Sequence, residues 1–397
     1  MIKRNDYLRQ LNSFKDKLLI KVITGIRRCG KSTLLESYQR ELSDDGVSPE
    51  QMISINFEDA IFEDLCERKA LYRYIEQRLQ PNSMNYIFLD EVQHVDEWQK
   101  VVDSFFIKKN CDVYITGSNA YLLSGELATL LSGRYVEIKM LPLSFAEFVS
   151  AFPNKNELSK KYITYITDSS FPYTLELDSL EDIRVYLDGL YNSIVLKDVV
   201  KRKKIADVSV LENVIRFMFD NIGNLCNTKK IADSLSSGGR KMSAHTVDNY
   251  LSALCDSFIL YRVGRYDVKG KQYLKTGEKF YLADMGLRNY LLGPQKSDMG
   301  RALENVIYLE LLRRGGDIRI GKIGESEVDF IVTSNRGIEY YQVALSVREK
   351  STLDRELRPL NSISDHNPKY LITLDDDPDV SHNGIRQVNA LDWLMWS

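Results

Sequence analysis

Nine consecutive residues carry the clearest chemistry in this sequence. Gly25, Ile26, Arg27, Arg28, Cys29, Gly30, Lys31, Ser32 and Thr33 fit the pattern GxxxxGK[ST] at every fixed position, directly after an apolar run and directly before a helical pattern. The glycines let the main chain wrap so that its N–H groups converge on a phosphate at a helix N-terminus. Lys31 would reach the β- and γ-phosphates of a nucleoside triphosphate, and the Ser32 hydroxyl would ligate Mg2+. Downstream, the apolar run Tyr86, Ile87, Phe88, Leu89 ends in Asp90 and Glu91. Asp90 would hold the water shell of the metal, and Glu91 would polarise the attacking water in line with the γ-phosphate. A third run ends at Thr116, Ser118 and Asn119, polar groups that would touch the γ-phosphate or the water if its strand lay between the other two. Arg134, expected at the end of a helix just before another strand, would face the nucleotide of a neighbouring subunit and stabilise charge on the transferred phosphoryl group.

Other residues near these motifs carry less. Cys29 lies inside the loop, where a helix terminus and Lys31 would lower its pKa, although a small tolerated residue is the simpler reading. Gln93 and His94 follow the acidic pair and are placed only near the site. Asn154 opens an NKNE run resembling a guanine-reading motif, but it follows Pro153 with no strand before it, which favours ATP.

Positioning these groups requires a parallel sheet with helices on both faces. The runs Leu18 to Thr24, Met52 to Phe57, Tyr86 to Asp90, Asp112 to Gly117 and Tyr135 to Met140 are nearly continuous in apolar residues, as strands covered on both faces are. Helical patterns alternate with them, one of them from Ser32 to Leu42. The chain then turns helical, with a break at Ser169 to Tyr173, and afterwards gives short helices and a β-ribbon punctuated by Gly270 and Gly277.

The 397 residues suffice for two or three domains at roughly 150 residues each. With 53 Lys and Arg against 56 Asp and Glu the net charge is −3, which argues against a histone-like basic protein but leaves room for local patches. A 44% hydrophobic, 27% charged chain reads as globular. The start of the sequence has no apolar h-region, and no apolar run approaches the ~20 residues that span a bilayer. Five scattered cysteines and four dispersed histidines offer neither a zinc site nor a disulfide framework. A reduced, cytoplasmic protein is expected, with no membrane partner.

The segments GIRRCGKSTLL, YIFLDEVQHVDEWQ, ITGSNAYLLSGELATLLSGRY and PLSFAEF together resemble the prokaryotic AAA-superfamily ATPases that carry a C-terminal domain of unknown function. The likeness continues through YNSIVLKDVVKR and GRALENVIYLELLRRG to EVDFIV, so it covers nearly the whole chain. It implies ATP binding with hydrolysis, a winged-helix segment and a nuclease-like terminal fold, with the arginine at position 134 acting in trans. The expected architecture is α/β: a P-loop core over 1–144, a helical lid or linker over 145–208, a winged-helix-like domain over 209–295 and a nuclease-like domain over 296–397.

From Ser243 to Leu260, Val247, Tyr250, Leu251, Leu254 and Phe258 share one helical face, and His245, Thr246, Asn249 and Ser252 share the other. A shorter helix, Lys229 to Leu235, precedes it, a spacing that resembles helix-turn-helix with the β-ribbon as wing. Residues 209–295 hold seven Lys and five Arg against eight acids, a net +4. His245, Thr246, Asn249, Lys269 and Lys271 are therefore candidate DNA contacts, while the same elements also serve protein contacts. In the PD-(D/E)xK pattern that the resemblance brings in, Glu304 and Asp329 stand in place, but the next strand offers Gln342 and Ala344 where Glu and Lys belong. The terminal domain is expected to be catalytically degenerate.

The whole reads as an oligomeric, Mg2+-dependent ATPase that couples its nucleotide state to assembly and to a DNA-binding winged helix. A slow nucleotide-gated switch for DNA or a protein partner is the alternative, and an active nuclease the least favoured.

Overall fold

The computed structural model describes residues 2–120, 133–154, 156–201, 205, 207–236, 242–270, 272–293, 298–377 and 380–396. The chain divides into two compact units, Met1–Leu141 with Asp256–Phe258 and Pro142–Cys255 with Ile259–Ser397. Among the described residues no helix is long and apolar enough to cross a membrane.

The first unit is built on five strands: β1 (Ile20–Thr24), β2 (Met52–Asn56), β3 (Asn85–Asp90), β4 (Cys111–Gly117) and β5 (Tyr135–Lys139). They pair in the order β2-β3-β4-β1-β5, every pair parallel. The five expected strands are thus present within two residues at each end. Two-residue alternation assigns the apolar side chains to two faces. Val22, Ile87, Leu89, Val113 and Ile115 pack with Leu71 and Ile75 of α3 (Arg68–Glu76) and with Trp98, Val101 and Phe105 of α4 (Trp98–Phe106). On the opposite face, Tyr38 of α2 (Lys31–Asp44) meets Phe88 and Tyr114 at ring centroid distances of 6.5 and 5.3 Å. A shorter α1 (Asn5–Ser13) buries Tyr7, Leu8 and Leu11.

The second unit holds a sheet of eight strands. β6 (Leu260–Asp267) and β7 (Gln272–Leu282) are the expected ribbon; β8 (Asp317–Ile323), β9 (Ser326–Ser334), β10 (Gly337–Val343), β11 (Lys369–Thr373), β12 (Val380–His382) and β13 (Ile385–Asn389) follow. Their order is β12-β13-β11-β10-β9-β8-β6-β7. The ribbon is therefore continuous with the terminal strands, because β6 pairs in parallel with β8 through Arg265, Tyr266 and Asp267. Three helices precede it, Val208–Asp220, Thr228–Ser236 and Ala244–Asp256. The last is shorter than its apolar pattern suggests: Phe258 lies beyond its end in a left-handed conformation (φ 58°). The helix Met299–Arg314 buries most of the stretch from Ala302 to Leu311, including Asn305 and Glu310.

Candidate active site

The loop between β1 and α2 carries the left-handed backbone points of an anion-nest geometry. Arg28 (φ 65°) and Gly30 (φ 104°) are left-handed, an alternation that turns successive N–H groups inward. Gly30 is the N-cap of α2, whose first residue is Lys31. Gly25 is required by space, since a Cβ there would collide with the Met140 carbonyl oxygen. Ile26 is buried behind the loop, Arg27 pairs with Glu58 at 2.9 Å, and Thr33 is exposed on the first turn of α2.

Cys29 does not behave as the sequence suggests. Its thiol is fully buried beside the Met140 carbonyl, and burial pushes it above its ordinary value, outweighing the opposite pull of Lys31 and Arg4. The expected lowering is corrected by this: in a dry site, loss of hydration dominates nearby charge.

β3 delivers Asp90 and Glu91 to the same end of the sheet, and β4 lies between β3 and β1, as the site requires. The Thr116 hydroxyl donates to Asp90 Oδ1 and accepts the backbone N–H of Glu91 at 2.9 Å, so one side chain orients both acids. Burial raises the Asp90 carboxyl above its ordinary value, against the hydrogen bonds it accepts from Ser32 and Thr116. Ser32 and Asp90 thus present a hydroxyl and a carboxylate side by side, a hard-oxygen donor set suited to Mg2+. Glu91 is left-handed (φ 53°), a rare conformation for a residue with a side chain and one often kept for function. Burial pushes its carboxyl up, but Lys31, the Gln93 amide and Arg27 together hold it below its ordinary value. Lys31 Nζ lies 3.4 Å from Glu91 Oε1 and donates to the Gly25 carbonyl at 3.3 Å. Ser118 is buried beside Glu91, and Asn119 is buried next to it.

Two residues to which the sequence motifs give no role belong to this site. Arg4 is buried just ahead of α1; its guanidinium donates to the Cys29 carbonyl at 3.2 Å and to the Leu141 carbonyl at 2.9 Å. A buried arginine donating to two carbonyls ties the loop to the end of β5 and fixes the backbone there. No spacing rule links it to the loop, so only the fold reveals it. The second is Gln93, whose amide donates to Glu91 Oε2. His94 meets Glu91 through the main chain instead, its N–H donating to the Glu91 carbonyl at 3.2 Å.

Arg134 lies at the other end of the sheet. Its carbonyl accepts the Ile20 N–H at 2.8 Å, so it precedes β5 where β1 begins, about 13 Å of strand away from the phosphate loop. The helix expected before it, 121–132, lies outside the described residues. In this chain its guanidinium pairs with Asp103 and covers the Phe106 ring at 5.6 Å.

In the second unit, His245 and Asn249 are exposed on the helix Ala244–Asp256 and bond each other at 3.3 Å, with Thr246 half-buried between them. Lys269 is exposed in the β6–β7 turn; Lys271 lies outside the described residues. The terminal acids gather around an unexpected cation. Lys279 of β7 lies 3.0 Å from Glu304, 2.8 Å from Glu327 and 3.7 Å from Asp329. The lysine missing at Ala344 is thus matched by one from a strand far earlier in the chain. Tyr281 adds a 2.7 Å hydrogen bond to Glu304. Gln342 accepts the Asp329 N–H at 3.4 Å and donates to Glu356 at 2.8 Å. Burial pushes the Asp329 carboxyl up to about 8, Glu304 adding to the effect and Lys279 opposing it.

Residues 18–149 match a family described as an AAA domain, and residues 159–298 match a domain of unknown function (DUF8612). An uncharacterized protein of Haemophilus influenzae is 40% identical over 401 residues, spanning 100% of this chain and 99% of its own. An uncharacterized protein of Methanocaldococcus jannaschii is 32% identical over 85% of this chain and 77% of its own. Among solved structures, a Walker-type ATPase of Pyrococcus abyssi superposes with a TM-score of 0.50 at 14% identity, over 73% of this chain and 96% of that one, a likeness of fold.

Proposed function

The chain belongs to one family with the Haemophilus influenzae and Methanocaldococcus jannaschii proteins and carries an AAA domain over residues 18–149, and on that premise we propose that it binds Mg2+–ATP and hydrolyses it. The observation that carries the reading is the convergence of the Arg28–Gly30 nest, Lys31, the Ser32–Asp90 pair and Glu91 at one end of one sheet. A triphosphate in the nest receives the loop N–H groups and draws Lys31 away from Glu91. Ser32 and Asp90 would hold Mg2+, which neutralises charge on the β- and γ-oxygens when bound. Glu91, relieved of its lysine, gains basicity and takes a proton from the attacking water.

Arg134 would complete this reaction on a neighbouring copy, since it lies at the wrong end of its own sheet. Exposed Leu18 and Ile107, 64% and 70% accessible, lie at that same end and suit an interface. DNA would be met by His245, Asn249 and Lys269, with affinity falling steeply with salt. One observation favours the slow switch instead: without nucleotide, Glu91 is tied to Lys31 and Gln93, a restrained base. Calorimetry with Mg2+–ATP and phosphate release, with and without DNA, tests both readings. Heat without turnover supports the switch; absence of heat from folded protein refutes both. Glu91→Gln should bind ATP and fail to release phosphate.

A further inference from the structure

Among the described residues, two buried oxygen atoms beside Glu91 have no hydrogen-bond partner: Oε1 of Gln93 and the hydroxyl of Ser118. Orphaned buried polar atoms are rare in folded proteins, and they commonly mark the place of an ordered water or a ligand. Both residues face the same carboxylate. Gln93 donates its amide N–H to Glu91 Oε2, and the Ser118 hydroxyl stands beside the same group. Chemistry fixes the orientation of the Gln93 amide. An ionised carboxylate only accepts, so the nitrogen must take the bond to Glu91, which leaves the carbonyl oxygen as an acceptor beside it.

We infer that Gln93 is a positioning residue which, with Ser118, holds the attacking water against Glu91. The inference rests on the hydrolytic reading above and assigns a duty within it. A water poised for attack has two protons to place and one lone pair to aim at phosphorus. Glu91 accepts the first proton. The second needs an uncharged acceptor, because another carboxylate would repel Glu91, and Gln93 Oε1 is such an acceptor. The remaining lone pair takes the Ser118 O–H, leaving the other directed at the γ-phosphate. In the step itself the water oxygen bonds to phosphorus and one O–H bond breaks toward Glu91. The bond from the γ-phosphorus to the bridging oxygen then breaks, its electron pair leaving with ADP, while the second proton remains on the new phosphate.

Gln93 also explains how Glu91 stays aimed once ATP arrives. Among its side-chain partners, Lys31 is claimed by the phosphates, while the Gln93 amide stays in place.

The test compares wild type with Gln93→Met, close in length but without the amide, and Ser118→Ala, with thermal melting as the check on folding. Gln93→Met should bind ATP within about twofold of wild type while kcat falls about 10- to 100-fold. A folded Gln93→Met enzyme with wild-type kcat overturns the inference and leaves the hydrolytic reading intact. A parallel loss of ATP affinity and melting temperature also overturns it, as a merely structural role would. Wild-type protein that binds ATP but never releases phosphate overturns the hydrolytic reading, and this inference with it.

Discussion

Replacing Lys279 by Met removes the cation that three carboxylates share and keeps most of its stem. In the native protein its ammonium lies 3.0, 2.8 and 3.7 Å from Glu304, Glu327 and Asp329, with the side chain 6% exposed. Breaking a buried ion pair by removing one partner typically costs about 3–5 kcal/mol, because the other charges stay buried without compensation. That range applies at pH 8 and above, as Asp329 loses its proton. At pH 5 the cost should shrink by about half, since Asp329 then holds its proton and needs no counter-ion. The wild type follows the same logic. Asp329 has its folded-state carboxyl pushed up to about 8, above an unfolded value near 3.8. Its contribution to stability is complete below the unfolded value and is lost as pH rises through 8, so the second unit should weaken from pH 4 to pH 8. Urea unfolding followed by tryptophan emission measures both effects, since Trp393 is buried 6.0 Å from Tyr341 of β10. A Trp98→Phe background removes the signal of the first unit. A loss equal at pH 5 and pH 8 would assign the effect to packing of the stem and refute the electrostatic argument, and no loss at either pH would refute the cluster.

Arg134→Ala should retain ATP binding by calorimetry yet lose turnover, and mixing it with an excess of Glu91→Gln should restore part of the rate if the arginine acts across copies. Arg4→Ala leaves the Cys29 and Leu141 carbonyls without their shared donor, so ATP affinity should fall roughly tenfold, about 1.4 kcal/mol, with Arg4→Lys intermediate. Thr116→Val strands the buried Glu91 N–H and removes a bond to Asp90, which should lower the melting temperature and the Mg2+ dependence of ATP binding together. Cys29 should resist iodoacetamide at pH 8 in folded protein even without nucleotide, judged by mass spectrometry against the half-exposed Cys66.

What is legible in the sequence is what is local. The loop from Gly25 to Thr33 and the strand ending in Asp90 and Glu91 are contiguous patterns, and each folds as its own spacing dictates. The placement of Thr116 follows from the sheet order that such strands require, and it holds because β4 lies between β3 and β1. Lys279 is invisible in sequence because the cation lies on one strand and its acids on a helix and another strand further along the chain, and the PD-(D/E)xK pattern points only to the position of Ala344. Arg4 escapes for the same reason. Cys29 misleads because sequence displays the charged neighbours of a thiol but not its burial. Phe258 satisfies a helical period and yet falls past the helix end, since Ile259 and Leu260 are already recruited by the sheet.

The parallel pairing of β6 with β8 has a practical consequence for anyone dividing this protein into pieces. Severing the chain at residue 295, where composition invites it, would strip one flank of β8 and leave a raw strand edge open to self-association. The same cut would strand Glu304, Glu327 and Asp329 on the C-terminal fragment with their counter-ion on the other. Fragments meant to stay monodisperse should keep the hairpin and the last hundred residues on one polypeptide.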